Sequence, residues 1–218
     1  MIKAQHNKLA GLIFFPYMKR LLRRNFSAFY MANNFPVIPD DCSLVITPNH
    51  ISWWDGFFIR HAVSQSCSRK IHIMMLEQQL NKYKFFSRLG AFSVNPLNPL
   101  SIITTKNYVT EILANTGNYV VIYPQGEIEA VEKTPLSVKS GLKYFVKGCS
   151  KKCLILPAAF KIQYYDKKHP AVIARFGSLI PADIVINDFD KYINEFNGNV
   201  KLLLEASYNK TFTGNCFD

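Results

Sequence analysis

Apolar residues Leu9, Leu12, Ile13, Tyr17, Leu21 and Leu22 recur three or four positions apart, the spacing of one helix face. Residues 9–30 therefore read as one or two amphipathic helices, with Pro16 predicted to kink or restart the helix. Pro36 and Pro39 mark a linker. Beyond it the period changes. Residues 43–47 form a short β-rich run that stops at Pro48, and helical spacing resumes after Asp55. Strand-like runs follow at 71–75, 91–94 and 119–123, with further apolar stretches at 154–164 and 172–176. Helices are predicted between them: over 77–88, from an Asn98 or Ser101 cap to Asn115 with Gly117 closing it, and over 138–146 ending at Gly148. A closing helix begins at Asn187 and carries Phe189, Tyr192, Ile193, Phe196, Val200, Leu203 and Leu204 at steps of three or four. Strands alternating with helices predict an α/β fold, a mixed, mainly parallel sheet covered by helices, behind an N-terminal amphipathic helical segment. The division read from this pattern is 1–39 for the amphipathic, membrane-associating segment and 40–218 for one α/β domain.

Charge refines the picture. The 218 residues carry 26 Lys+Arg against 15 Asp+Glu, a formal net charge of +11 that favours anionic partners. Before Asp40 the basic residues are Lys3, Lys8, Lys19, Arg20, Arg23 and Arg24, with no acid among them. They interleave with apolar residues, which suits a lipid surface better than a nucleic-acid groove, and no familiar nucleic-acid-binding motif is present. A second basic stretch, 139–168, holds Asp166 as its one acid. The apolar run at 9–18 is shorter than the roughly 20 residues a spanning helix needs. The basic cluster after it and the lack of a small-residue cleavage site argue against a signal peptide. A peripheral or monotopic position on the cytoplasmic face of a membrane is the expectation. Cys42, Cys67, Cys149, Cys153 and Cys216 form no Cys-x-x-Cys pair and have no His partners at metal-ligand spacing, so free thiols and no metal site are expected.

The segment richest in chemistry is Asn49-His50-Ile51-Ser52-Trp53-Trp54-Asp55, placed where a strand ends, as sites in open α/β sheets are. Histidine titrates near neutral pH, and a carboxylate on one ring nitrogen leaves the other free to take a proton. In one continuous helix, residues five apart lie roughly 140° around the axis. His50 and Asp55 can therefore meet only if His50 stays in the loop and Asp55 sits in the first helical turn. On spacing alone, a structural histidine is equally open. A second segment, Tyr123-Pro124-Gln125-Gly126-Glu127, also follows a strand directly. Gly126 allows close approach of the backbone, whose N–H groups can face a developing oxyanion, although a plain turn has the same composition.

Together these segments resemble the glycerolipid acyltransferases, the family of lysophosphatidic acid acyltransferase. The family's Asn-His-x-Ser-x-x-Asp is matched by Asn49, His50, Ser52 and Asp55. Its Leu-Gly-Ala-Ile-x-Val-Asp-Arg block is followed by Leu89-Gly90-Ala91-Phe92-Ser93-Val94-Asn95, and its Phe-Pro-Glu-Gly-Thr-Arg by Tyr123-Pro124-Gln125-Gly126-Glu127-Ile128. Lys139-Ser140-Gly141 matches a Lys-x-Gly, and Ile155-Leu156-Pro157-Ala158-Ala159 the last apolar strand. The resemblance implies acyl transfer from a coenzyme A or acyl carrier protein thioester, a co-substrate and not a bound cofactor, to a hydroxyl of a lipid. It implies His50 as general base, Asp55 as its partner, and Asn49, Ser52, Gln125, Gly126, Glu127 and Lys139 around the substrates. Ser52 reads as a turn or cap residue, and no Gly-x-Ser-x-Gly elbow supports a serine hydrolase. A thioesterase and a catalytically inactive lipid-binding relative are the alternative readings. The family's two arginines, associated with an acceptor phosphate, fall at Pro96 and Ile128, while Glu127 and Glu129 bring negative charge there. An acceptor without a terminal phosphate is expected.

Overall fold

The computed structural model describes residues 1–149 and 152–217; Lys151 of the second basic stretch lies outside them. Its helices are α1 Lys8–Asn25, α2 Asp55–Ser64, α3 Glu77–Lys82, α4 Pro99–Leu113, α5 Gly141–Val146, α6 Ala182–Asn187 and α7 Phe189–Asn209, with a 3₁₀ helix at Lys84–Leu89. Its strands are β1 Ala28–Met31, β2 Ser43–Pro48, β3 Lys70–Leu76, β4 Ala91–Val94, β5 Asn118–Val121, β6 Cys153–Gln163, β7 Ala171–Phe176, β8 Ile180–Pro181 and β9 Gly214–Asn215. They form one sheet in the order β4-β3-β5-β2-β6-β7-β1-β9, with β8 beside β6. From β4 to β6 every pairing is parallel, and β6–β7 turns antiparallel. The expected mixed, mainly parallel α/β fold is the fold observed.

Strand β2 is buried along its whole length, so both of its faces need apolar cover. Leu44 and Ile46 face a core closed by Met18 and Leu22 of α1 and by Phe57, Phe58 and Ile59 of α2. Val45 faces the opposite core, built from α4, α5, α6 and α7.

Three local expectations change. Helix α1 runs through Pro16 without restarting. The carbonyl that Pro16 leaves without a helical donor belongs to Leu12, which is exposed and open to water. The helix ends at Asn25, whose amide donates to Leu21 O at 2.8 Å, and residues 28–31 form β1, paired parallel with β7. Phe and Tyr suit helix and strand alike in so short a run; the buried Ala28 and Phe29 and the ladder on β7 decide it. The helix expected over 77–88 breaks at Tyr83, which leaves helical geometry at φ −121°, ψ 55°. Gly90 then closes the 3₁₀ turn at φ 107°, where a Cβ would stand 2.4 Å from Ile71 O. By contrast, α4 begins as read, with the Asn98 side chain accepting from Leu100 N and Ser101 N.

Buried histidines make this core sensitive to acid. His61 is 3 % exposed and His72 6 %. Burial first, then Lys19 and Arg23, lowers His61 to about 4. Burial likewise lowers His72 to about 4. His6, edge-on to His72 at 4.6 Å, also falls to about 4, through burial first and then His72, Lys70 and Arg60. Each is neutral in the fold but takes a proton in the unfolded chain below its ordinary value of 6.5. The unfolded state therefore binds more protons as pH falls from 6.5 towards 4, and stability drops through that window. Urea unfolding followed across the window is expected to show a falling midpoint. His61→Phe, which suits the rings of Phe29 and Phe217 around it, should flatten the decline. A midpoint constant with pH would contradict this account.

Candidate active site

Strands β2 and β5 are parallel neighbours, with Ile46 opposite Val121, so the chain leaves both at the same edge of the sheet. His50 lies four residues past Ile46 and Gln125 four past Val121, and this pairing brings the two sequence segments together. Asn49 carries β2's contact with β6 one step further. Its N–H donates to Ala158 O at 3.1 Å, its amide nitrogen donates to Phe160 O at 3.0 Å, and its amide oxygen accepts from Phe160 N at 2.7 Å. Asn49 is fully buried, with both ends of its side chain committed to β6.

Trp54, the residue before α2, gives no side-chain cap, and Asp55 at the start of the helix reaches back instead. Asp55 Oδ2 accepts from Ile51 N at 2.7 Å and Ser52 N at 2.9 Å, and Oδ1 accepts from Ser52 Oγ at 2.7 Å. Ser52 Oγ accepts in turn from Trp54 N at 3.2 Å, the turn role read from the sequence. Asp55 Oδ2 also meets His50 Nδ1 at 2.7 Å, with Asp55 1 % exposed and the His50 side chain 26 % exposed. An ionised carboxylate only accepts, so Nδ1 is the nitrogen that holds the proton in a neutral ring, with Nε2 the free one. The His50 ring lies over Tyr123, centroids 4.5 Å apart and planes 32° apart. The buried Tyr123 hydroxyl has no partner among the described residues, and burial first, then the Asp55 charge, raises it well above the ordinary phenol range.

The second segment holds His50 from behind. Gln125 Oε1 accepts from His50 N at 2.5 Å, and Glu129 N donates to His50 O at 2.9 Å. Gly126 turns at φ 71°, and a Cβ there would stand 3.1 Å from the Lys139 side chain. Its N–H is taken by Tyr123 O, whereas the N–H of Glu127 has no acceptor among the described residues. Lys139 N donates to Pro124 O at 2.8 Å, and its ammonium pairs with Glu127 at 3.2 Å, both side chains exposed.

Glu129, read from the sequence only as negative charge beside the site, turns inward instead. Its carboxylate is 8 % exposed and accepts from Gln125 Nε2, Lys133 Nζ, Ser137 N and Ser137 Oγ at 3.0, 3.0, 3.1 and 2.6 Å. The Ser137 hydroxyl first, then Lys133 and Gln125, holds it down at about 2. No spacing signal in the sequence distinguishes it from Glu127; its role depends on the fold of the loop that returns Ser137.

His50 opens onto a cleft of about 740 Å³ with mainly apolar walls. Gly126, Glu127 and Lys139 line its mouth with His50, whereas Asn49, Ser52, Asp55 and Gln125 do not line it. Pro96 and Ile128 are both in the wall. The cleft follows β3 from Leu76 to Ile71, about 17 Å of strand. Phe14, Phe15 and Met18 of α1 cover it, and Arg60, stacked on Phe15 at 4.2 Å, lies at the Ile71 end.

A family model described as Acyltransferase matches residues 29–161, from β1 into β6. No curated protein matches the chain in sequence. Among solved structures, the crystal structure of the 1-acyl-sn-glycerophosphate (LPA) acyltransferase PlsC from Thermotoga maritima is similar at a TM-score of 0.61 and 14 % identity. The match covers 88 % of this chain and 79 % of that one, and at this identity it is a likeness of fold.

Proposed function

We propose, on the premise that the chain belongs to the acyltransferase family whose model covers residues 29–161, that it moves a fatty acyl group from a thioester to a hydroxyl of a lipid, with His50 as general base. The observation that carries this is the 2.7 Å contact of His50 Nδ1 with the buried Asp55 carboxylate at the mouth of an apolar cleft, which leaves the other ring nitrogen to act as the base. The acceptor hydroxyl gives its proton to Nε2 as its oxygen attacks the thioester carbonyl, and Asp55 stabilises the imidazolium that forms. The N–H of Glu127, without an acceptor among the described residues, is a donor available for the oxyanion, since that of Gly126 is spent on Tyr123. Collapse of the tetrahedral intermediate breaks the carbon–sulfur bond, and the leaving thiolate takes the proton back from His50. The acyl chain lies along β3 beneath α1. The donor is a coenzyme A or acyl carrier protein thioester, used as co-substrate.

The mouth of the cleft favours an acceptor without a terminal phosphate. Arginine grips a phosphate monoester through paired, charge-assisted hydrogen bonds. Pro96 and Ile128 offer none, and Lys139 is already paired with Glu127.

The same helix that roofs the cleft would dock it on the membrane. Leu9, Leu12, Ile13 and Tyr17 of α1 are exposed, as are Leu97 and Leu100 at the start of α4, close to cleft residues Pro96 and Ile102. Among the described residues no helix is long and apolar enough to cross a membrane. Attachment in the plane of the cytoplasmic leaflet fits this pattern, with exposed basic side chains each contributing about 1 kcal/mol near anionic lipid. Arg23 is committed to Phe217 O, so Lys19, Arg20 and Arg24 carry the electrostatic part.

Incubation of the full chain with a labelled acyl thioester and lipid acceptors tests the reaction. A phosphate-free lipid such as a monoacylglycerol is expected to give a higher kcat/KM than lysophosphatidic acid. His50→Ala should lose about 100- to 10,000-fold of rate while staying folded. Acyl release that ignores the lipid would make the enzyme a thioesterase, and near-normal turnover by His50→Ala would remove the base assigned here.

Vesicle flotation tests the docking. Binding is expected to be stronger on anionic than on neutral vesicles, and to weaken when Lys19, Arg20 and Arg24 are changed together to Gln. Equal binding to both vesicle types would refute the electrostatic part.

A further inference from the structure

We propose that Gln125 and Glu129 act as one positioning unit for the backbone of His50, an amide oriented by a carboxylate, and that the two side chains can be exchanged but not separately replaced. The inference rests on the reading of His50 as the base. Both hydrogen-bonding groups of the His50 backbone end on this unit. Its N–H donates to Gln125 Oε1 at 2.5 Å, and its carbonyl accepts from Glu129 N at 2.9 Å, with Gln125 Nε2 approaching at 3.4 Å. Both backbone hydrogen-bonding groups of His50 are thus satisfied although it lies in a loop, the N–H by a side chain.

The pairing is directional. A carboxamide has one accepting and one donating end, nearly equal in shape, so the Gln125 amide fits its site either way round until something polar decides. Glu129 decides: its ionised carboxylate only accepts, so the amide nitrogen turns to it at 3.0 Å and the oxygen is left for His50 N–H. Ser137 and Lys133 fix the carboxylate in turn. Without that charge only the His50 backbone orients the amide, and a flipped amide would set two donors against each other beneath the base. Neither side chain lines the cleft, so both act through His50 and not on substrate. The stretch between them carries Gly126, Glu127 and Ile128, which links the seating of the base to the shape of the cleft mouth.

Gln125→Glu puts two carboxylates in contact in a buried site. They must share a proton, so the loss should deepen as pH rises. Glu129→Gln replaces an acceptor-only, charged partner by a neutral amide and so orients Gln125 more weakly. In the double variant Gln125→Glu/Glu129→Gln, the carboxylate at 125 accepts from His50 N–H and from the amide nitrogen at 129. That nitrogen stands where Glu129 Oε2 met Ser137, so the Ser137 hydroxyl must turn to accept from it, while the amide oxygen stays with Lys133.

The test measures turnover of the full chain with labelled acyl coenzyme A and total membrane lipid, alongside the NMR signals of the His50 backbone amide and ring Nδ1–H. Gln125→Glu is expected to lower kcat by about 10- to 100-fold, the scale of a lost charge-assisted hydrogen bond, with KM nearly unchanged. Glu129→Gln should fall between it and the wild type. The double variant should recover part of the loss and move the His50 signals back towards those of the wild type. If Gln125→Glu does not fold, a double variant that folds and turns over supports the unit, and one that also fails to fold overturns it. A double variant no better than Gln125→Glu, or single variants with unaltered kcat and His50 signals, also overturns it. His50→Ala measured in parallel separates the two readings: turnover kept by that variant removes the base itself, whereas turnover lost there with no rescue in the exchange removes only the positioning unit.

Discussion

A carboxylate taken out of water must find donors for both of its oxygens, and the Asp55 side chain finds four within three angstroms. Three of them, the N–H groups of Ile51 and Ser52 and the Ser52 hydroxyl, come from the loop that leads into α2. The fourth is His50. The same burial that demands these bonds makes each of them strong, so one side chain shapes the loop, starts the helix and meets Nδ1 of His50. The spacing of five between His50 and Asp55 follows from this. A continuous helix would hold the two apart, and the turn that brings them together is the one Asp55 itself draws in.

That loop needs a wall behind it, and the sheet supplies one. Parallel strands send their chains out at the same edge, and β5 enters the sheet beside β2 although α2, β3, β4 and α4 lie between them in sequence. The peptide of His50 is then held by Gln125 and Glu129, and its ring lies on Tyr123. On the other side Asn49 spends its whole side chain on Phe160 of β6. The site is therefore carried by three adjacent strands of one buried sheet, with the apolar cleft opening beside them.

Much of this was legible in the sequence, for reasons particular to each element. Strand β2 reads clearly because Leu44, Val45 and Ile46 are all buried and Pro48 stops the run. Helix α4 reads clearly because Asn98 caps it. Strand β1 does not, since Ala28 to Met31 suit a helix as well and only the ladder on β7 chooses between them. The break at Tyr83 leaves no local pattern, since neither Gly nor Pro stands there to mark it. His50 and Asp55 stand out because few residue types do acid–base chemistry and both follow a strand. Glu129 does not stand out: an acidic residue in a polar loop is ordinary until Ser137 folds back onto it. Glu127, two positions away, remains at the surface with Lys139.

The central claim is that Asp55 keeps the proton of His50 on Nδ1 and leaves Nε2 free to act. Nitrogen-15 NMR of histidine-labelled protein, with the His50 signals assigned by comparison with His50→Ala, reads the tautomer directly. This account predicts a protonated Nδ1 and a bare Nε2 in the neutral ring, with that preference lost in Asp55→Asn. A neutral His50 protonated at Nε2, or one whose tautomer ignores the Asp55→Asn change, would contradict it.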